Sequence, residues 1–137
     1  MKILLMLSLV TLSALFGGVE NRYPTVGFAK ENITTIDIRT QGEWMETGLY
    51  PNSIPITFFD DRGAYDVRKF LGELHKVLKD RNEKFALICR TGSRTKVVAN
   101  FLGKNGYNVI NLQGGIYHSM KKLGMKLEKY SPAKRYY

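Results

Sequence analysis

The sequence predicts an α/β domain with a mostly parallel central sheet and helices on both faces. Three observations lead there. Short apolar or β-branched runs (Ile33 to Ile38, Phe85 to Ile88, Tyr107 to Leu112) alternate with stretches of helical periodicity. Polar residues and glycines close the runs as turns. Arg39, Cys89 and Gln113-Gly114 all fall at the carboxyl ends of these runs, where open parallel sheets build their sites. At 137 residues the chain forms one domain, long enough to bury a proper core.

In chain order, Met1-Lys2 supplies one positive charge, and Ile3 to Phe16 follows without charge and mostly aliphatic, the pattern of a secretory signal. Gly17-Gly18 offer small residues near a cleavage point. Residues 1–18 are therefore read as a signal peptide, 19–130 as the domain and 131–137 as a basic tail, which implies export, for instance to the periplasm. Leu15 and Phe16 fit an A-x-A cleavage site badly. The alternative is a membrane anchor left uncleaved, although the run falls short of the roughly 20 residues a spanning helix needs. A buried first helix is the remaining option. Asn21 to Glu31 is a polar lead-in with no clear element.

Ile33 to Ile38 reads as a strand and Gln41 to Glu46 as a short helix ended by Thr47-Gly48. Ser53 to Phe59 is extended, with Pro55 pushing Ile54 out of helical geometry at a strand start or edge. Asp60 to Gly63 is a turn. From Asp66, residues Val67, Phe70, Leu71, Leu74 and Leu78 recur at helical spacing, opposite Lys69, Glu73, Lys76 and Lys79. His75 lies among the polar positions and is expected in solvent. Val98, Phe101 and Leu102 share one face of a later helix that stops at Asn105-Gly106. Gly114-Gly115 turn into a last helix from Ile116 to about Leu123. His118 there is a surface or cap residue, with a place at the rim of a site as the rival reading. The tail from Ser131 is expected to fray.

Composition excludes several classes. One cysteine rules out an internal disulfide, and with two histidines no metal cluster or cofactor is expected. The formal charge is +9, with Lys121, Lys122, Lys126, Lys129, Lys134 and Arg135 concentrated late. This is read as a solvated basic face, with general attraction to anionic partners as the alternative; nucleic acid is not expected, since no recognition motif accompanies the charge.

The chain is organised around Cys89-Arg90-Thr91-Gly92-Ser93-Arg94-Thr95. A strand leads in and a helix leads out, so backbone N–H groups line a small bowl at a helix N-terminus. Arg90 and Arg94 add positive charge. Lone cysteines are mostly inert core residues, but these neighbours favour an anionic sulfur. Arg90 is placed to meet an anion; Arg94 either does the same or braces the loop against a carboxylate. Thr91, Gly92, Ser93 and Thr95 contribute backbone donors and a helix cap.

This segment resembles the active-site loop of the rhodanese family, Cys-Arg-x-Gly-x-Arg-Ser/Thr. Asp37-Ile38-Arg39 with Glu43-Trp44 and Gly48 is similar to that family's first signature, and Asn111 to Ile116 to the segment after its active-site helix. The likeness spans about residues 25 to 130. Gly48-Leu49-Tyr50-Pro51 lacks a histidine usual in the family, and Ser119 stands near the place of a frequent tryptophan.

The resemblance implies a rhodanese-like fold and a thiosulfate sulfurtransferase. Cys89 is its nucleophile, Arg90 to Thr95 bind substrate, and Asp37 and Arg39 act as supports behind them. A small anionic donor loads Cys89 with a covalent persulfide, and a thiol or cyanide unloads it. The single-domain members often dimerise or act on partner proteins, so both are carried here. Phosphatase-type loops hold one residue more between cysteine and arginine, and this narrower bowl suits sulfur better than phosphate. A persulfide carrier or sulfur-sensing module without turnover is the competing class; its loop would look the same.

Overall fold

In a computed structural model, which describes residues 17–137, all five strands pair in parallel. They are β1 (Gly18–Arg22), β2 (Thr35–Asp37), β3 (Ile54–Pro55), β4 (Phe85–Ile88) and β5 (Asn108–Leu112), in the spatial order β1-β5-β4-β2-β3. The helices are α1 (Val26–Ala29), α2 (Gln41–Thr47), α3 (Val67–Val77), α4 (Ser93–Lys104) and α5 (Gly115–Tyr117). A π-helical turn, His118–Lys122, extends α5.

Alternation along the strands divides the core in two. Phe85, Leu87 and Cys89 join Ile36, Ile38, Phe70, Leu74, Val98 and Leu102 beneath α3 and α4. Ala86 and Ile88 point the other way, into a cluster with Phe28, Tyr50, Ile110 and Ile116. β4 is central and buried on both faces, which explains why its sequence is uniformly apolar. The chain leaves β2 for β3 on one side, and leaves β4 for β5 on the other. The carboxyl ends of β2 and β4 therefore flank a topological switch point, the usual crevice of an open α/β sheet.

Several expectations need correction. The lead-in Asn21 to Glu31 is structured: it holds the end of β1 and all of α1, whose Thr25 caps Phe28 N. β1 is an edge strand of mostly exposed residues, so it carries no apolar alternation to betray it. β1 begins at Gly18, whose N donates to Tyr107 O at 3.0 Å. The signal-like run Ile3 to Phe16 lies outside the described residues.

Phe101 is 41% exposed, whereas Val98 and Leu102 are buried as expected. Of Ser53 to Phe59 only Ile54–Pro55 is strand, although Ile56 N and Phe58 N still donate to Asp37 O and Ile38 O. The final helix is broken into α5 and the π turn. The tail does not fray: Tyr136 stacks on Tyr130 at 5.7 Å, and Tyr137 donates its hydroxyl hydrogen bond to Glu73 on α3. Asp66 caps α3 by accepting from Lys69 N, and His75 is exposed, with Nε2 2.7 Å from Tyr107 Oη. Among the described residues no helix is long and apolar enough to cross a membrane.

Candidate active site

Cys89 follows the last residue of β4 and is fully buried, at 0% exposure. Its Sγ accepts from Gly92 N at 3.2 Å and lies 3.6 Å from Thr95 Oγ1. Gly92 is the N-cap of α4, with φ +96°, a left-handed conformation that glycine adopts without penalty. A Cβ on Gly92 would also sit 3.0 Å from Gly114 N. The N-terminus of the twelve-residue α4 thus faces the sulfur, with roughly half a positive charge. The cap expected from the loop hydroxyls is absent, because Gly92 itself holds the cap position and Thr95 turns inward.

A second segment fixes the loop. Ile116 N donates to Cys89 O at 2.9 Å and Tyr117 N to Arg90 O at 2.9 Å. These bonds draw the two carbonyls back toward α5, away from the bowl. Gly115 makes the approach possible: at φ +57°, a Cβ there would collide with the carbonyls of Cys89 and Arg90.

The two arginines part company. Arg94 gives a bidentate pair to Glu43 on α2, Nη1 to Oε1 at 2.7 Å and Nη2 to Oε2 at 2.8 Å. The Arg94 guanidinium holds the Glu43 carboxyl down to about 2, and Glu43 in turn raises Arg94 above its usual value. Of the two options the sequence left open, Arg94 is the brace. Arg90 is exposed, as are Thr91 and Ser93.

Asp37 and Arg39 are buried, at 0% each. Arg39 Nε and Nη2 donate to the Asp37 carboxylate at 2.9–3.1 Å. Nη1 reaches Thr47 Oγ1 and Nη2 reaches Gly48 O, both at 2.9 Å. The pair therefore rivets the end of β2 to the end of α2, the helix that carries Glu43. Arg39 and Asp37 touch neither the sulfur nor solvent. They hold the brace that holds the loop.

The segments after β2, β4 and β5 meet, as their places at strand ends predict. His118 is half-buried at the rim of this edge, its ring 4.7 Å from that of Tyr23. Two residues went without a role in the sequence. Glu43 stands out in the sequence only as part of a motif, though Thr40 and Glu43 spell a capping box that places it in the first turn of α2. Asn111 accepts from Thr95 Oγ1 at 2.6 Å, a contact between elements that no local pattern announces.

The family model described as rhodanese-like domain matches residues 27–121. A Bacillus subtilis (strain 168) protein named "Putative sulfurtransferase YtwF" is 28% identical over 88 residues, covering 64% of this chain and 74% of its own. Among solved structures, a rhodanese-related protein from Thermoplasma volcanium superposes with a TM-score of 0.52 at 28% identity, covering 74% of this chain and 92% of that one. Rv0390 from M. tuberculosis gives a TM-score of 0.56 at 18% identity, covering 72% and 80%, a likeness of fold.

Proposed function

The chain belongs to the rhodanese-like domain family, and from that premise we propose that it is a sulfurtransferase carrying a sulfane sulfur on Cys89. The observation that carries the reading is the cradle at Cys89: Gly92 N–H on the sulfur at 3.2 Å, at the N-terminus of α4. Such donors favour a sulfur anion, and both thiolate and persulfide are anions. The name of the Bacillus subtilis relative supports the same class of chemistry.

The thiolate of Cys89 attacks the outer sulfur of thiosulfate. A Cys89 S–S bond forms, the S–S bond of thiosulfate breaks, and sulfite leaves with its electron pair. The product is an anionic persulfide in the same bowl. A thiolate or cyanide then takes the terminal sulfur, giving a new persulfide or thiocyanate and restoring the Cys89 thiolate. Arg90, uncommitted and exposed at the mouth, meets the anionic donor, while Arg94 keeps the loop in shape. The acceptor is a small thiol or the thiol of a partner protein, and a second copy of the chain is a further partner to test. The site of action is outside the cytoplasm, a reading that rests on the run Ile3 to Phe16.

Intact mass after thiosulfate treatment tests the core of this proposal. The expected result is a gain of one sulfur, about 32 Da, reversed by reductant. With cyanide, steady thiocyanate production over many cycles marks an enzyme; one sulfur per chain followed by a stall marks a carrier. Cys89→Ser is expected to lose both loading and transfer. Thiocyanate production retained by that variant overturns the mechanism.

A further inference from the structure

We propose that Asn111 and Asn21, unused in the sulfur chemistry above, form with Thr95 a reversible hydrogen-bond chain that follows the charge on the Cys89 sulfur. The inference deepens the sulfurtransferase reading and rests on it for the persulfide, though not for the thiol.

Thr95 Oγ1 owns one hydrogen and has three acceptors around it: Asn111 Oδ1 at 2.6 Å, Gly92 O at 3.2 Å and Cys89 Sγ at 3.6 Å. The short contact takes the hydrogen. Asn111 Nδ2 then donates to Asn21 Oδ1 at 3.1 Å. The two asparagines face each other because β1 and β5 pair in the register Asn21 with Asn111. In this arrangement the Thr95 oxygen turns lone pairs toward sulfur and suits an S–H donor. It is the arrangement of the thiol.

A thiolate or persulfide needs a donor in that place. A side-chain amide offers a donor and an acceptor of nearly the same shape, so a half-turn of both asparagines reverses the chain. Asn21 Nδ2 then donates to Asn111 Oδ1, and Asn111 Nδ2 to Thr95 Oγ1. The Thr95 hydroxyl is released to the sulfur, which gains a second donor beside Gly92 N–H. No proton travels along the chain; a hydroxyl and two amides rotate, and the thiol proton leaves to solvent. Thr95 is 0% and Asn111 5% exposed, so an unpaired member is costly and the chain turns as a unit. Asn21 is exposed on the edge strand and free to turn. Asn111 and Asn21 are positioning residues that act through Thr95.

The test is the pH profile of Cys89 alkylation by iodoacetamide. Asn21→Asp presents only acceptors, so it holds Asn111 Nδ2 outward and Asn111 Oδ1 on Thr95. We expect alkylation at pH 7 roughly fivefold slower, with the profile moved to higher pH. In a Thr95→Val background, where the chain is cut, Asn21→Asp should add nothing, and Thr95→Ser should restore its effect. Equal slowing with and without the hydroxyl means a through-space charge and overturns the proposal, as does no slowing at all. Apart from the new carboxylate at position 21, the charged and titratable groups on the surrounding elements are the same in every variant: Arg90 in the loop, Arg94 on α4, Glu43 on α2, the Asp37–Arg39 pair after β2, and His118 beyond α5. If Thr95→Val fails to fold by thermal melt, Asn111→Leu cuts the chain at its middle and serves the same comparison. Alkylation needs no sulfur donor. A protein that takes up no sulfur yet shows this pattern sinks the sulfurtransferase reading alone; uptake with a flat pattern sinks the chain alone.

Discussion

Glu43→Gln removes one charge from the brace and keeps the shape of the side chain. In the folded protein the Glu43 carboxyl is held at about 2 against an ordinary 4.5. At about 1.4 kcal/mol per tenfold change in affinity, that gap corresponds to about 3 kcal/mol of stability. The side chains of Arg94 and Glu43 are 27% and 20% exposed, so solvent screening reduces the figure to about 1–2 kcal/mol. A carboxyl whose folded value is depressed stabilises the fold fully above its unfolded value. The contribution is lost as pH falls through 4.5 toward about 2. Urea unfolding of wild type and Glu43→Gln across this range should therefore show a gap of about 1–2 kcal/mol at pH 7 that narrows below pH 4.5 and closes only as the medium approaches pH 2. Glu31 and Glu73 are also held low by basic or hydroxyl partners, but both proteins share them and the difference cancels. An undiminished gap at pH 3 would refute the electrostatic account of the brace.

Other variants address the remaining parts of the site. Arg39→Met leaves the buried Asp37 carboxylate without its partner, and unfolding should show a loss of about 3–5 kcal/mol; a loss below about 1 would contradict the rivet. Gly115→Ala forces a left-handed φ and a collision with two loop carbonyls, so thermal melts should fall by about 2 kcal/mol or more, with slower alkylation of Cys89. A variant as stable and as reactive as wild type would remove the clamp from the argument. Arg90→Ala should raise KM for thiosulfate on the order of tenfold while sparing a neutral polysulfide donor. Equal loss with both donors would deny Arg90 its part in recognising charge.

Much of this was legible before any coordinates, for physical reasons. Phe85 to Ile88 is buried on both faces of a central strand, so every residue there is apolar and the run declares itself. Asp66 and the stripe behind it mark α3 because one face alone meets the core. That the segments after β2, β4 and β5 share one edge followed from strand ends in a parallel sheet. What escaped has no local signature. β1 is an exposed edge whose pairing to β5 comes from the fold and not from its own pattern. Phe101 carries an apolar side chain on a face that solvent reaches. The tail is pinned by aromatic stacking against Tyr130, which itself rests on Trp44. The pairing of Arg94 depends on Glu43, fifty-one residues away, and the sequence could only pose it as one of two options.

The clamp between the cysteine loop and the first turn of α5 ties the chemistry to the integrity of the whole domain. Ile116 and Tyr117 hold the carbonyls of Cys89 and Arg90 only when β4 and β5 lie side by side. An unfolded chain therefore has neither the Gly92 N–H contact at the sulfur nor the clamped carbonyls, and both form only when the last third of the polypeptide packs against β4. The surroundings of the cysteine are thus a product of the assembled sheet and not of the loop sequence alone.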